Sequence, residues 1–137
     1  MSSNLDNLAR TGQLKAETPS PEEIAGLVAS GQRRLIDAGN EQLSLESRFD
    51  LAYNAAHALS LAALRRRGFR SENRYLVFQS LKETAGLPPS QWRVLDNAHR
   101  KRNLAEYEGH LDMDEALVAA VIRAAHRILA HLNGLDK

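Results

Sequence analysis

LESRFDLAYNAAHALSLAALRRRG, Leu45 to Gly68, decides the fold. Ala52, Ala56, Leu59 and Ala63 recur at helical spacing on one stripe, so the stretch predicts a helix from about Leu45 to Arg67 that stops at Gly68. Side chains this small on a buried stripe require another helix packed close across it.

The neighbours are helical too. Upstream, Ser20-Pro21-Glu22-Glu23 reads as a capping box with proline at the first helical position, followed by Ile24, Val28, Gly31 and Leu35, and the helix runs to about Asp37 and stops at Gly39. Downstream, a helix over about Glu72 to Ala85 ends at Gly86, before Pro88 and Pro89. Ser90 is placed to cap the next, which reaches about Tyr107 and stops near Gly109. The last begins at Asp112, buries Leu117, Val121, Ile128 and Leu132, and is closed by Gly134. Leu5, Leu8 and Ala9 suggest a short amphipathic turn in the leader. The expectation is an all-α, up-and-down bundle of about five helices without appreciable sheet, with residues 1–18 as an N-terminal arm and 19–137 as one domain.

Composition narrows the function classes. The 137 residues include no cysteine, which excludes disulfides and thiolate metal sites. The N-terminus lacks a basic and apolar signal pattern, and the longest apolar run, Ala116 to Ile122, is too short to span a bilayer. A soluble cytoplasmic protein with no membrane association is expected. No G-x-G-x-x-G, G-x-x-x-x-G-K or H-E-x-x-H motif occurs, and the five histidines are scattered, so neither a cofactor nor a metal site is expected.

Charge is unevenly spread. The net charge is +1, but residues 1–64, 65–102 and 103–137 carry −3, +7 and −3. A basic block between acidic flanks is the sequence footprint of a polyanion site. Arg65, Arg66 and Arg67 read as cations suited to a helix C-terminus. That does not account for Arg93, Arg100, Lys101 and Arg102.

HRKRNLAEYEGH, His99 to His110, concentrates the polar candidates. On a helical wheel advancing about 100° per residue, Leu95, Ala98 and Ala105 fall within about 80° of one another, and Arg102 falls among them. An arginine thus stands in an apolar stripe, with Glu106 one turn on as a partner and His99 and Asn103 bordering the face. One account is an Arg102–Glu106 pair whose stem covers apolar surface. The other is a cleft, at a dimer interface, where the arginine binds phosphate or an acidic partner.

RFDLAYNAAHALSLAALRRRG, then NRYLVFQSL, then HRKRNLAEYEG together resemble the HEPN family, small helical nucleotide- and RNA-associated domains of prokaryotes. The likeness covers residues 45–132 and is strongest at Arg48, Tyr53, Gly68 and the Arg102-Asn103 step. It implies an up-and-down bundle, a homodimer, and either a metal-independent ribonuclease toxin or the partner of a nucleotidyltransferase protein. The family's motif is an arginine, often with a polar residue after it, and a histidine a little over one turn further on. The three positions where that histidine would stand hold Tyr107, Glu108 and Gly109. An unperturbed phenol ionises about three units above neutrality, so tyrosine is a poor substitute base.

The reading is a nucleotide- or RNA-binding module in the manner of a toxin–antitoxin pair, non-catalytic or weakly active. Arg102, Asn103, Tyr107, His99, Glu106 and Arg100 are its phosphate-facing candidates. No residue is assigned a catalytic role. Two alternatives stand beside it. One is a ribonuclease toxin using His99 or His110 as base; the other is a structural interaction bundle.

Overall fold

Gly31 marks a close helix contact: a Cβ there would lie 2.7 Å from Leu59 Cγ and 3.3 Å from the Ala55 carbonyl oxygen. It belongs to α2 (Pro21–Ala38), and Leu59 to α3 (Leu45–Arg66), the alanine-rich helix. Ala52, Ala56, Leu59 and Ala63 are all fully buried, so the small-residue stripe is where the core closes around α3.

The computed structural model describes residues 4–109 and 113–134. Besides α2 and α3, the described residues form α1 (Asn4–Arg10), α4 (Arg74–Gln79), α5 (Leu81–Thr84), α6 (Pro89–Glu108) and α7 (Glu115–Leu132). The protein is all-α, and α3 is its central helix, packed against α2, α7, α4, α5 and α6. The main core joins Leu35, Phe49, Phe78, Leu95, Val121 and Ile128; Leu117 and Leu132 pack at its edge half-buried. A second cluster of Leu5, Leu14, Leu64, Leu76 and Val77 lies beneath α1. His110 and Asp112 lie outside the described residues.

Several boundaries differ from the sequence reading. The helix expected over Glu72 to Ala85 is two short ones. Asn73 caps α4 through a bond from the Leu76 N–H (3.2 Å), and the chain turns at Ser80. After α5 the Leu87 N–H reaches back to the Leu81 carbonyl at 3.1 Å, with Gly86 in the left-handed region (φ +64°). That six-residue return ends the helix and buries Leu87. Ser90 does not cap α6: Pro88 occupies the cap in extended conformation and Pro89 starts the helix, since proline fixes the φ a first turn needs. α7 is capped by Asp114, which accepts from the Leu117 N–H at 2.7 Å. A minimal ladder, β1 (Lys15–Ala16) against β2 (Phe69–Arg70), is antiparallel, and helical periodicity gives no sign of it.

The largest correction concerns Arg65. It does not decorate a helix end; only 1% of its surface is exposed. Its Nε donates to Glu23 Oε1 at 2.6 Å, and its Nη groups reach the carbonyls of Glu17, Thr18 and Phe69. Arg70 pairs with the same Glu17 and Glu23 carboxylates. Ser20 does cap α2, accepting from the Glu23 N–H at 3.3 Å, but the Glu23 side chain is drawn to the two guanidinium groups instead of closing the capping box. Arg66 and Arg67 are exposed and donate to the Leu132 and Glu83 carbonyls. The triplet thus fastens the residue 15–18 segment, α5 and α7 to the end of α3.

Candidate functional site

The α6 face that carries Trp92, Leu95 and Ala98 into the core continues toward Arg102. Where the core ends, that face meets α3 at Tyr53 and α4 at Arg74, and polar groups gather there.

His99 is the centre. Its Nδ1 lies 2.8 Å from the buried Tyr53 hydroxyl, and its Nε2 lies 3.3 Å from Asn103 Nδ2, one turn along α6. A neutral imidazole satisfies both contacts when Nε2 accepts from the Asn103 amide and the Nδ1–H donates to the Tyr53 oxygen. Phe78 lies edge-on to Tyr53, His57 and His99, an apolar floor under all three rings.

Two cations flank this group. The guanidinium carbons of Arg74 and Arg102 stand 5.3 and 5.4 Å from the centre of the Tyr53 ring, within cation–π range. Arg102 is a third exposed; its Nε donates to Asp50 at 3.2 Å, and its Nη1 is 3.9 Å from Glu106. The expected Glu106 pair is therefore the looser of two contacts. Arg74 is different: among the described residues no carboxylate pairs with it, and its Nη1 is buried with no hydrogen-bond acceptor. A buried donor left unpaired costs about 1–3 kcal/mol, so this position favours an incoming acceptor.

The electrostatics agree with that geometry. Burial holds the His99 imidazole below its ordinary pKa; Arg74 and Arg102 add to the effect and Asp96 opposes it. Burial likewise pushes His57 down to about 4, with Arg74 and His99 contributing. Near neutral pH both imidazoles are uncharged, and the positive charge of the cluster belongs to the arginines.

Of the six candidates from the sequence, the structure brings His99, Arg102 and Asn103 together. Glu106 borders them. Arg100 points elsewhere and pairs with Asp96 at 3.5 Å, its side chain 70% exposed. Tyr107 is 95% exposed on the outer face of α6, away from the cluster. Sequence reading missed Arg74, His57, Asp50 and Phe78 as members, because they join from α3 and α4 with no local spacing to reveal it. Tyr53 enters only through the family resemblance.

The basic block is also redistributed by folding. Arg65 and Arg70 are paired with the acidic flank, Arg100 with Asp96, and Arg102 with Asp50, so these four cations of the block are not free positive charges. Beside the cluster an open groove runs between the start of α3 and the end of α6, lined by Ser44, Ser47, Asp50, Arg102 and Glu106 among others. No helix among the described residues is long and apolar enough to cross a membrane. Comparison of the chain with family models, curated proteins and solved structures finds no match.

Proposed function

We propose that the chain is a HEPN-like module that binds phosphate groups of RNA or of a nucleotide where α3, α4 and α6 meet, and that it works by binding rather than by cleavage. The observation that carries this reading is Arg74: a half-buried cation whose Nη1 lacks an acceptor, beside a second arginine and an uncharged histidine. Guanidinium groups are the usual phosphate ligands, and Asn103 offers a further donor at the exposed edge. A nucleotidyltransferase protein as partner, in a toxin–antitoxin-like pair, is the protein-level form of the same reading.

The homodimer belongs to this proposal as well, on the outer face of α6. Leu104 and Tyr107 are 55% and 95% exposed there. An antiparallel α6 pair centred on Leu104 sets Arg100 of one copy against Glu108 of the other, a self-complementary charge pattern. Light scattering should report a dimer that Leu104→Glu weakens. Arg102 faces α3, so Arg102→Glu should leave assembly unchanged.

Fluorescence anisotropy with single-stranded RNA tests the binding reading. Affinity should fall with salt, and Arg74→Ala or Arg102→Ala should each lower the slope by about 0.7, one phosphate contact on a single strand. Salt-independent binding, or none, would favour the interaction bundle in which Arg102 serves only Asp50 and Glu106. The ribonuclease alternative draws support from His99, an imidazole held toward its neutral form whose Nε2 meets the exposed Asn103 amide. Metal-free cleavage lost on His99→Ala would favour it.

A further inference from the structure

Arg74 and Arg102 reach the site from different elements, and each brings what the other lacks. Arg102 is a third exposed and partly neutralised by Asp50 and Glu106. Arg74 is half-buried and has no carboxylate partner among the described residues; its inner nitrogen is closed to water and has no acceptor. Both lie against the buried Tyr53 ring, and Asn103 beside His99 is exposed.

An internal phosphodiester matches this arrangement only in part: it sets one negative charge and two free oxygens against two guanidinium groups. A phosphate monoester is attached on one side only. At pH 7 it carries about −1.5 to −2 charges and presents three acceptor oxygens. That matches two guanidinium groups, Arg102 a third exposed and Arg74 half-buried.

We infer that Arg74 and Arg102 form a clamp at the His99 edge for a terminal phosphate monoester. The inference rests on the phosphate-binding reading above and names its ligand class. The groups facing His99 are Tyr53 and His57 from α3, Arg74 from α4, and Asp96, Arg102 and Asn103 from α6. Arg74 and Arg102 disfavour a charged imidazole in the free protein. A dianion seated between them reverses that influence, so binding takes up a proton at His99.

The test uses the full chain with one RNA sequence in three forms: 5′-phosphorylated, 3′-phosphorylated and hydroxyl at both ends, with adenosine monophosphate as a fourth probe. The clamp predicts that at least one phosphorylated probe binds about tenfold or more tighter than its hydroxyl counterpart. The preferred probe identifies which end, or a mononucleotide, is the source of the monoester. Arg74→Gln should abolish the preference, so that phosphorylated and hydroxyl-ended RNA bind alike, and Arg74→Lys should restore part of it. In the wild type, the His99 ring resonances should titrate at higher pH when the preferred probe is bound. Equal binding of phosphorylated and hydroxyl RNA overturns the clamp and leaves RNA binding standing. If no probe binds, both readings fall.

Discussion

Tyr53 Oη and His99 Nδ1 stand 2.8 Å apart, joining α3 to α6 across 46 positions of sequence. The bond places a histidine over the end of the core, against Phe78 and within the influence of two arginines. The cluster therefore bears on stability as well as on binding.

Acid should expose that contribution. His57 titrates near 4 in the folded chain against an ordinary 6.5, and His99 is shifted in the same direction. Between those values the unfolded chain binds more protons, so stability is complete above about pH 6.5 and is lost as pH falls toward 4. For His57 the loss amounts to about 2–3 kcal/mol. Glu17 and Glu23, held below their ordinary 4.5 chiefly by hydrogen bonds from Arg70 and Arg65, contribute stability that is lost only at lower pH. Urea midpoints measured from pH 7 down to 4.5 should fall steadily in the wild type and much less in His57→Asn. The same fall in both proteins would remove His57 as the cause.

Arg65 is the second point of leverage. Replacing it with Met keeps most of the volume but strips the donors from Glu23 and from the Glu17, Thr18 and Phe69 carbonyls. The two carboxylates are a third exposed and can rehydrate, which limits the cost to about 2–3 kcal/mol. Hydrogen exchange should quicken first at Glu17, whose N–H bonds to Gly68. Unchanged stability would mean that the buried guanidinium is dispensable.

Two glycines of α2 offer a paired test of the close helix contact. Gly31→Ala should destabilise by about 1–3 kcal/mol, because the new methyl meets Leu59 Cγ at 2.7 Å and the Ala55 carbonyl at 3.3 Å. Gly26 has nothing within 4 Å of such a methyl, so Gly26→Ala should stabilise by up to about 1 kcal/mol through helix propensity alone. Thermal unfolding of both variants measures the difference. A tolerated Gly31→Ala would show that α2 can slide away from α3.

What can be read from sequence follows the range of each interaction. The alanine stripe, the Ser20 cap and the glycine stops act within a turn or two, and each is visible as spacing. The break at Ser80 is hidden, because Tyr75 to Leu81 keeps a helical composition and only the tertiary burial of Leu76, Val77, Phe78 and Leu81 explains the turn. Arg65 is misread from sequence because its partners Glu17 and Glu23 lie more than 40 residues upstream. The same holds for Asp50, which displaces Glu106 as the nearer partner of Arg102. Angles along α6 do place Arg102 beside His99 and Asn103, since all three belong to one helix.

Those angles also bear on RNA cleavage. Tyr107 occupies the family's histidine position in spacing, yet it lies about 140° around α6 from Arg102 and is 95% exposed. An imidazole there would face solvent. Tyr107→His should therefore yield no metal-independent cleavage, and the wild type should show little. His99 is the imidazole within the cluster suited to accept a 2′-hydroxyl proton, but cleavage also needs a donor for the leaving oxygen. His57, uncharged above about pH 4, cannot supply that proton near neutrality. A gel assay with chelator at pH 7 should show intact RNA for the wild type, Tyr107→His and His99→Ala alike. Cleavage gained by Tyr107→His would mean that the end of α6 turns inward to meet Arg102. Wild-type cleavage lost in His99→Ala would make His99 the base and require a proton donor outside His57.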